Sequence, residues 1–119
     1  MEQQLSMNDQ FLSKIYKIID ENIPNEKFSV EDLSAQAGLS RSMLHRKLKK
    51  LTGKSASNLI TERRVNLARK LLEQDVATVT EIAYRVRFSD PSYFNKVCRK
   101  HYNVSPGKIR EQALDSEIS

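Results

Sequence analysis

A chain of 119 residues with 20 Lys or Arg against 15 Asp or Glu, hence a net charge of +5, is long enough for one compact domain or two very small subdomains sharing a core. Its single cysteine excludes an internal disulfide and a multi-cysteine metal site and fits a reducing cytoplasm, while no apolar run approaches the length that spans a membrane. Three glycines and three prolines, beside abundant Leu, Ile, Ala, Lys, Arg and Glu, argue against a loop-rich fold and for an all-α one.

The opening MEQQLSMNDQ is polar and acidic, unlike a signal peptide, and residues 1–8 read as a flexible tail. Residues 9–22 predict a first helix with Phe11, Ile15, Ile18 and Ile19 on one face, and Pro24 ends it. Phe28 is an apolar plug before Ser29, which with Glu31 and Asp32 sets a capping oxygen and negative charge at the start of a second helix. Gly38 marks a turn where positive φ is cheap. Ser40 then caps a third helix over residues 41–51, and Gly53 stops it. A long fourth helix over residues 57–73 carries a stripe of Ile60, Leu67, Ala68, Leu71 and Leu72. It spans roughly 25 Å at 1.5 Å per residue and is expected to hold its two flanks at a fixed separation. Val79, Ile82, Ala83 and Val86 mark a short fifth helix. Asp90 followed by Pro91 starts a sixth, with Tyr93, Phe94, Val97, Cys98 and His101 on its inner side. A closing helix over residues 106–113 and an acidic flexible tail over 114–119 complete the chain.

Two of these pairs are copies of one unit. Val30 matches Val79 and Leu33 matches Ile82 at an offset of 49, whereas Leu44 matches Phe94, Leu48 matches Cys98 and Ser55 matches Ser105 at an offset of 50. The second turn is therefore one residue longer. The outer face of the third helix, Ser42, His45, Arg46 and Lys49, recurs as Ser92, Asn95, Lys96 and Arg99. A short helix propping up a second one with an unburdened polar face is the layout of a helix-turn-helix DNA reader. Charge follows the same division: residues 41–70 hold ten Lys or Arg against Glu62 alone, and residues 85–110 hold seven against Asp90 alone. That is the footprint of a polyanion partner. A charge run alone would read as the solvated face of a helical bundle; the duplication of turn and face together points to double-stranded DNA.

Within that reading, Ser42, His45 and Arg46 in the first unit and Ser92, Asn95 and Lys96 in the second are the candidate base readers. Arg46 can grip guanine with its fork, Asn95 can pair bidentately with adenine, and Lys96 favours guanine less sharply as a point charge. Arg41, Lys49, Lys54 and Arg99 are candidate phosphate contacts that set register. Lys47 and Lys50 stay open between contacts and solvated charges, and Arg64 is expected to be structural, tied to a carboxylate such as Glu31 or Asp32. No cofactor or metal is expected, and the chain does not read as an enzyme. Cys98 and His101 lie three apart with no third ligand or orienting carboxylate nearby in sequence, and Ser, His and Asp form no catalytic pattern. The rival is a helical protein-interaction module with a basic surface, which would favour acidic or apolar outer faces. Single-stranded RNA would need exposed aromatic platforms. A membrane surface would need the apolar positions already committed to the core.

The second repeat resembles the signature I-A-x-x-x-G-F-x-D-x-S-Y-F of the AraC/XylS family of bacterial transcription regulators, through Ile82, Ala83, Phe88, Asp90, Ser92, Tyr93 and Phe94. Ser105, Pro106 and Arg110 also match. Arg64, Ala68, Leu71 and Leu72 match R-L-x-x-A-x-x-L-L, with Val65 for the first leucine. The resemblance covers about residues 9–112. It implies seven helices in two helix-turn-helix units (9–56 and 74–113) joined by the 57–73 helix. It also implies a monomer that contacts two successive major-groove segments, a cytoplasmic setting and RNA polymerase as a further partner. The stretches FLSKIYKIIDENI and SRSMLHRKLKKLTGKS resemble output domains of hybrid two-component regulators; no effector, receiver or kinase segment is present, so a fragment of a longer protein is expected. Four residues depart from the family pattern: Arg87 and Asn103 stand for glycines, Cys98 for a phenylalanine and Ile109 for an aromatic. At Arg87 a positive φ would cost on the order of 1 kcal/mol; Asn103 tolerates it better.

Overall fold

The computed structural model describes residues 6–118. Among them run seven helices and no strand: α1 (Met7–Asn22), α2 (Val30–Ala37), α3 (Arg41–Thr52), α4 (Ala56–Gln74), α5 (Val79–Arg85), α6 (Pro91–Tyr102) and α7 (Pro106–Ile118). The chain divides into two compact units between Arg63 and Arg64, within α4.

In the first unit α1 begins at Met7 because Ser6 Oγ accepts the Asp9 N–H. Residues 7 and 8 therefore belong to the helix rather than to a tail, and residues 1–5 lie outside those described. Ile15 and Ile19 of α1 pack with Phe28, Leu33, Leu44, Leu48 and Leu59 into one core. The Lys14 ammonium donates to the Ala37 carbonyl at 3.3 Å, tying α1 to the end of α2. Arg63 donates through Nε to Asp20 at 2.9 Å while its guanidinium lies over the Tyr16 ring. Ser29 and Asp32 form a reciprocal capping box at the start of α2. At its end Gly38, at φ 72°, donates to the Ala35 carbonyl, and Leu39 donates to that of Ser34. This is a Schellman closure, which needs a left-handed residue at that point. Ser40 Oγ accepts the Met43 N–H and starts α3.

The second unit repeats this construction with different residues. Val65, Ala68 and Leu72 of α4 pack with Ile82, Ala83 and Val86, with Phe94 and Cys98 of α6, and with Ile109 of α7. Arg87 sits at φ 67°, where the first unit has Gly38. Its N–H donates to the Tyr84 carbonyl, and the Phe88 N–H donates to that of Ala83, the same pair of bonds as in the first turn. The extra residue is Ser89, lying between Phe88 and the Asp90 cap, whose carboxylate accepts the Ser92 N–H. Asn103 closes α6 at φ 63°. Arg110 donates to the Ala77 carbonyl and lies 3.4 Å from the Asp75 carboxylate, fastening α7 to the connector before α5. Tyr102, half-buried, donates to the Asn66 side-chain oxygen. The closing helix continues to Ile118, past its expected end at residue 113.

One inner-face expectation is corrected. Tyr93 is 50% exposed, with its ring 5.8 Å from that of Phe88, and His101 is half-buried. The buried face of α6 is Phe94, Val97 and Cys98. A helix turns about 100° per residue, so Tyr93 stands at the rim beyond Val97.

Candidate nucleic-acid interface

On α3, Leu44 and Leu48 are fully buried, which turns Ser42, His45, Arg46 and Lys49 to solvent. The three candidate readers occupy the first half of the helix, the part that meets base edges in a helix-turn-helix. Arg41 is exposed and meets Glu31 at 3.3 Å; both side chains are mostly in water. Such a pair is worth about 0–1 kcal/mol, so a phosphate can displace the carboxylate. Lys54 is half-buried, with its ammonium against Glu62. Of the two uncertain lysines, Lys47 lies 4.2 Å over the Phe11 ring and Lys50 is exposed.

A groove of about 520 Å³ runs beside this face, lined by Val30, Arg41, Ser42, His45, Arg46 and the Ser55–Ala56–Ser57 start of α4. Ser55 Oγ accepts the Asn58 N–H there. Sequence reasoning missed the contribution of the α4 start, although Ser55 is readable as an N-cap. Free N–H groups at a helix start favour anions, and two arginines and a histidine share the groove.

On α6, Ser92, Lys96 and Arg99 are exposed and Asn95 is half-buried. Arg99 Nε donates to Asn95 Oδ1 at 2.8 Å, so a candidate phosphate contact and a candidate base reader touch. Met43, 51% exposed, and Tyr93 hold equivalent places beside the two faces. Large apolar groups at a reading face suit thymine methyls. Their repetition at an offset of 50 was available as a signal and passed unread.

Arg64 is 7% exposed and donates to the Val86 carbonyl at 3.2 Å. Burial, and then the like charge of Arg87, push its pKa down. The carboxylates expected beside it have other roles: Glu31 pairs with Arg41, and Asp32 accepts the Ser29 N–H and hydroxyl. Cys98 is 1% exposed, and burial pushes its thiol up to about 12. Among the described residues no group of three or more His, Cys, Asp or Glu could hold a metal, and no helix is long and apolar enough to cross a membrane.

The helix-turn-helix domain family matches residues 33–112. Histidine kinase P4 of Formosa agariphila is 35% identical over 107 residues, which is 90% of this chain but 8% of that protein. A transcriptional regulator of Chromobacterium violaceum, among the AraC-type DNA-binding domain-containing proteins, aligns with a TM-score of 0.81 at 30% identity over 87% of this chain and 92% of its own. The DNA-binding domain of the global transcriptional factor AdpA, solved in complex with a target DNA, aligns with a TM-score of 0.74 at 31% identity over 85% of this chain and 90% of its own.

Proposed function

The chain belongs to the AraC/XylS family of helix-turn-helix DNA-binding domains, and from that premise we propose that it reads two unlike boxes on one duplex, one with each unit. DNA binding in transcription regulation is the family's work; the assignment of side chains to it is our own. In this reading α3 and α6 enter successive major-groove segments. Ser42, His45 and Arg46 read one box, and Ser92, Asn95 and Lys96 read the other. Arg41, Lys49, Lys54 and Arg99 hold phosphates and set register. Arg41 and Lys54 exchange Glu31 and Glu62 for phosphate oxygens as they do so.

The observation that carries this is the pairing of inner and outer faces. Each reading helix buries its apolar side and presents four polar or basic side chains at matching positions, with no carboxylate among them. A fold that needed these helices only for packing has no use for that repetition. The match to part of a histidine kinase supports a place as the output segment of a larger two-component sensor; a cytoplasmic setting, RNA polymerase as a further partner and no catalysis by this segment are part of the same proposal.

Selection from a random duplex library with this 119-residue chain is the test. Enrichment of two distinct boxes is expected, with log affinity falling linearly in log salt at about −0.9 per phosphate contact. Equal retention of all duplexes, or a flat response to salt, would end the proposal.

A further inference from the structure

We propose that Arg99 is a positioning residue for Asn95, and that the amide it holds turns the second unit toward guanine instead of adenine. This rests on the DNA-reading function proposed above. An arginine side chain carries donors and no acceptor. The Asn95 atom 2.8 Å from Arg99 Nε is accordingly the oxygen, and this bond fixes the orientation of the amide. The two residues are four apart on α6, so they share a face. The oxygen keeps a second lone pair, but the guanidinium fixes its direction along the helix face, so the NH2 is the group that half-buried Asn95 can turn to a base edge.

Adenine offers a donor at N6 beside an acceptor at N7, and a bidentate grip on it needs both the oxygen and the nitrogen of the amide. Guanine offers two acceptors, O6 and N7. An amide that leads with its N–H donors matches guanine. The remaining guanidinium N–H groups of Arg99 stay available for a phosphate, so positioning and phosphate contact coexist. The first unit carries His45 and Lys49 at the same places, a pair without this guanidinium–amide match, so the device belongs to the second unit.

The test uses the same random duplex library with three proteins: the native chain, Asn95→Ala and Arg99→Met. The last removes the donors while keeping length and helix propensity at an exposed site. Asn95→Ala identifies the base pair at issue as the one whose preference collapses. At that pair the native chain should favour guanine over adenine by about tenfold. Arg99→Met should bind all duplexes more weakly and, separately, move that ratio toward adenine by about tenfold. A uniform loss of affinity in Arg99→Met with the ratio unchanged would reduce Arg99 to a phosphate contact. The proposal also falls if the native chain chooses adenine there, or if Asn95→Ala alters no base preference. If the native chain enriches no duplex, the DNA-reading function itself fails and takes this inference with it; the other outcomes leave that function standing.

Discussion

Arg46 and Arg64 are the same residue type under opposite conditions. Arg46 stands in water on the outer face of α3, where its fork can reach a guanine edge. Arg46→Ala should cost about 1–3 kcal/mol on the selected site and relax choice at one or two base pairs, whereas Lys49→Ala should weaken every duplex alike. Equal losses on selected and random DNA for Arg46→Ala would move Arg46 to the phosphates. Arg64 is buried on the Val86 carbonyl. That bond was not legible, because a backbone acceptor leaves no mark in a sequence. Cys98 follows from burial in the same way. With its thiol pushed up to about 12, it should resist thiol reagents at neutral pH and label only on unfolding. Its folded pKa lies above its unfolded one, so the contribution is intact below the ordinary thiol range. It is lost as pH rises, because the unfolded chain gives up the proton first. A thiol-labelling time course in native buffer and a denaturation series up to about pH 10 check both; rapid native labelling would displace Cys98 from the core.

At the scale of elements, the two turns decide how each reading helix is presented. They use the same hydrogen bonds, but Gly38 stands at φ 72° in one and Arg87 at φ 67° in the other. A side chain in the left-handed region costs about 1–2 kcal/mol, and Arg87 also repels the buried Arg64. Arg87→Gly should therefore raise stability by about 1 kcal/mol, after the extra chain entropy of glycine takes its share, and Gly38→Ala should lower it by a similar amount. Equilibrium urea unfolding measures both; a destabilised Arg87→Gly would mean that the Arg87 side chain has a partner worth more than the strain. These turns were legible because the offset of 49 becomes 50 across them, and helix starts were legible wherever a cap preceded an apolar period, as at Ser29, Ser40 and Asp90. The limits of α1 and α7 were not. Ser6 caps a first turn that is polar throughout, and α7 continues through Asp115 and Ser116, where no apolar period signals helix. Tyr93 misled for a related reason: an aromatic at the rim of a stripe reads as part of it.

For the molecule as a whole, the question is whether one chain engages one box or two. The outer faces differ, with His45 and Arg46 on α3 and Asn95 and Lys96 on α6, so the two boxes should be unlike and not halves of a palindrome. Two modest binders on one chain gain from effective concentration only while both can engage together. Five base pairs inserted between the boxes turn the second by about half a helical turn. α4 runs unbroken over Ala56–Gln74, and a helix cannot lengthen without giving up its 1.5 Å rise per residue and the bonds that set it. Bending the duplex to compensate costs about 1–6 kcal/mol. The five-pair insertion should therefore lower affinity to about that of a chain carrying Lys96→Ala on the unaltered site. A full-turn insertion should not restore it, because the box returns to the same side about 34 Å further along. Footprinting across a spacer series reads this directly. Protection of one box with unchanged affinity at every spacing would mean that a single unit binds. The second would then be the silent one, since its turn carries the strained Arg87 and its core holds Cys98 beside Phe94 and Val97.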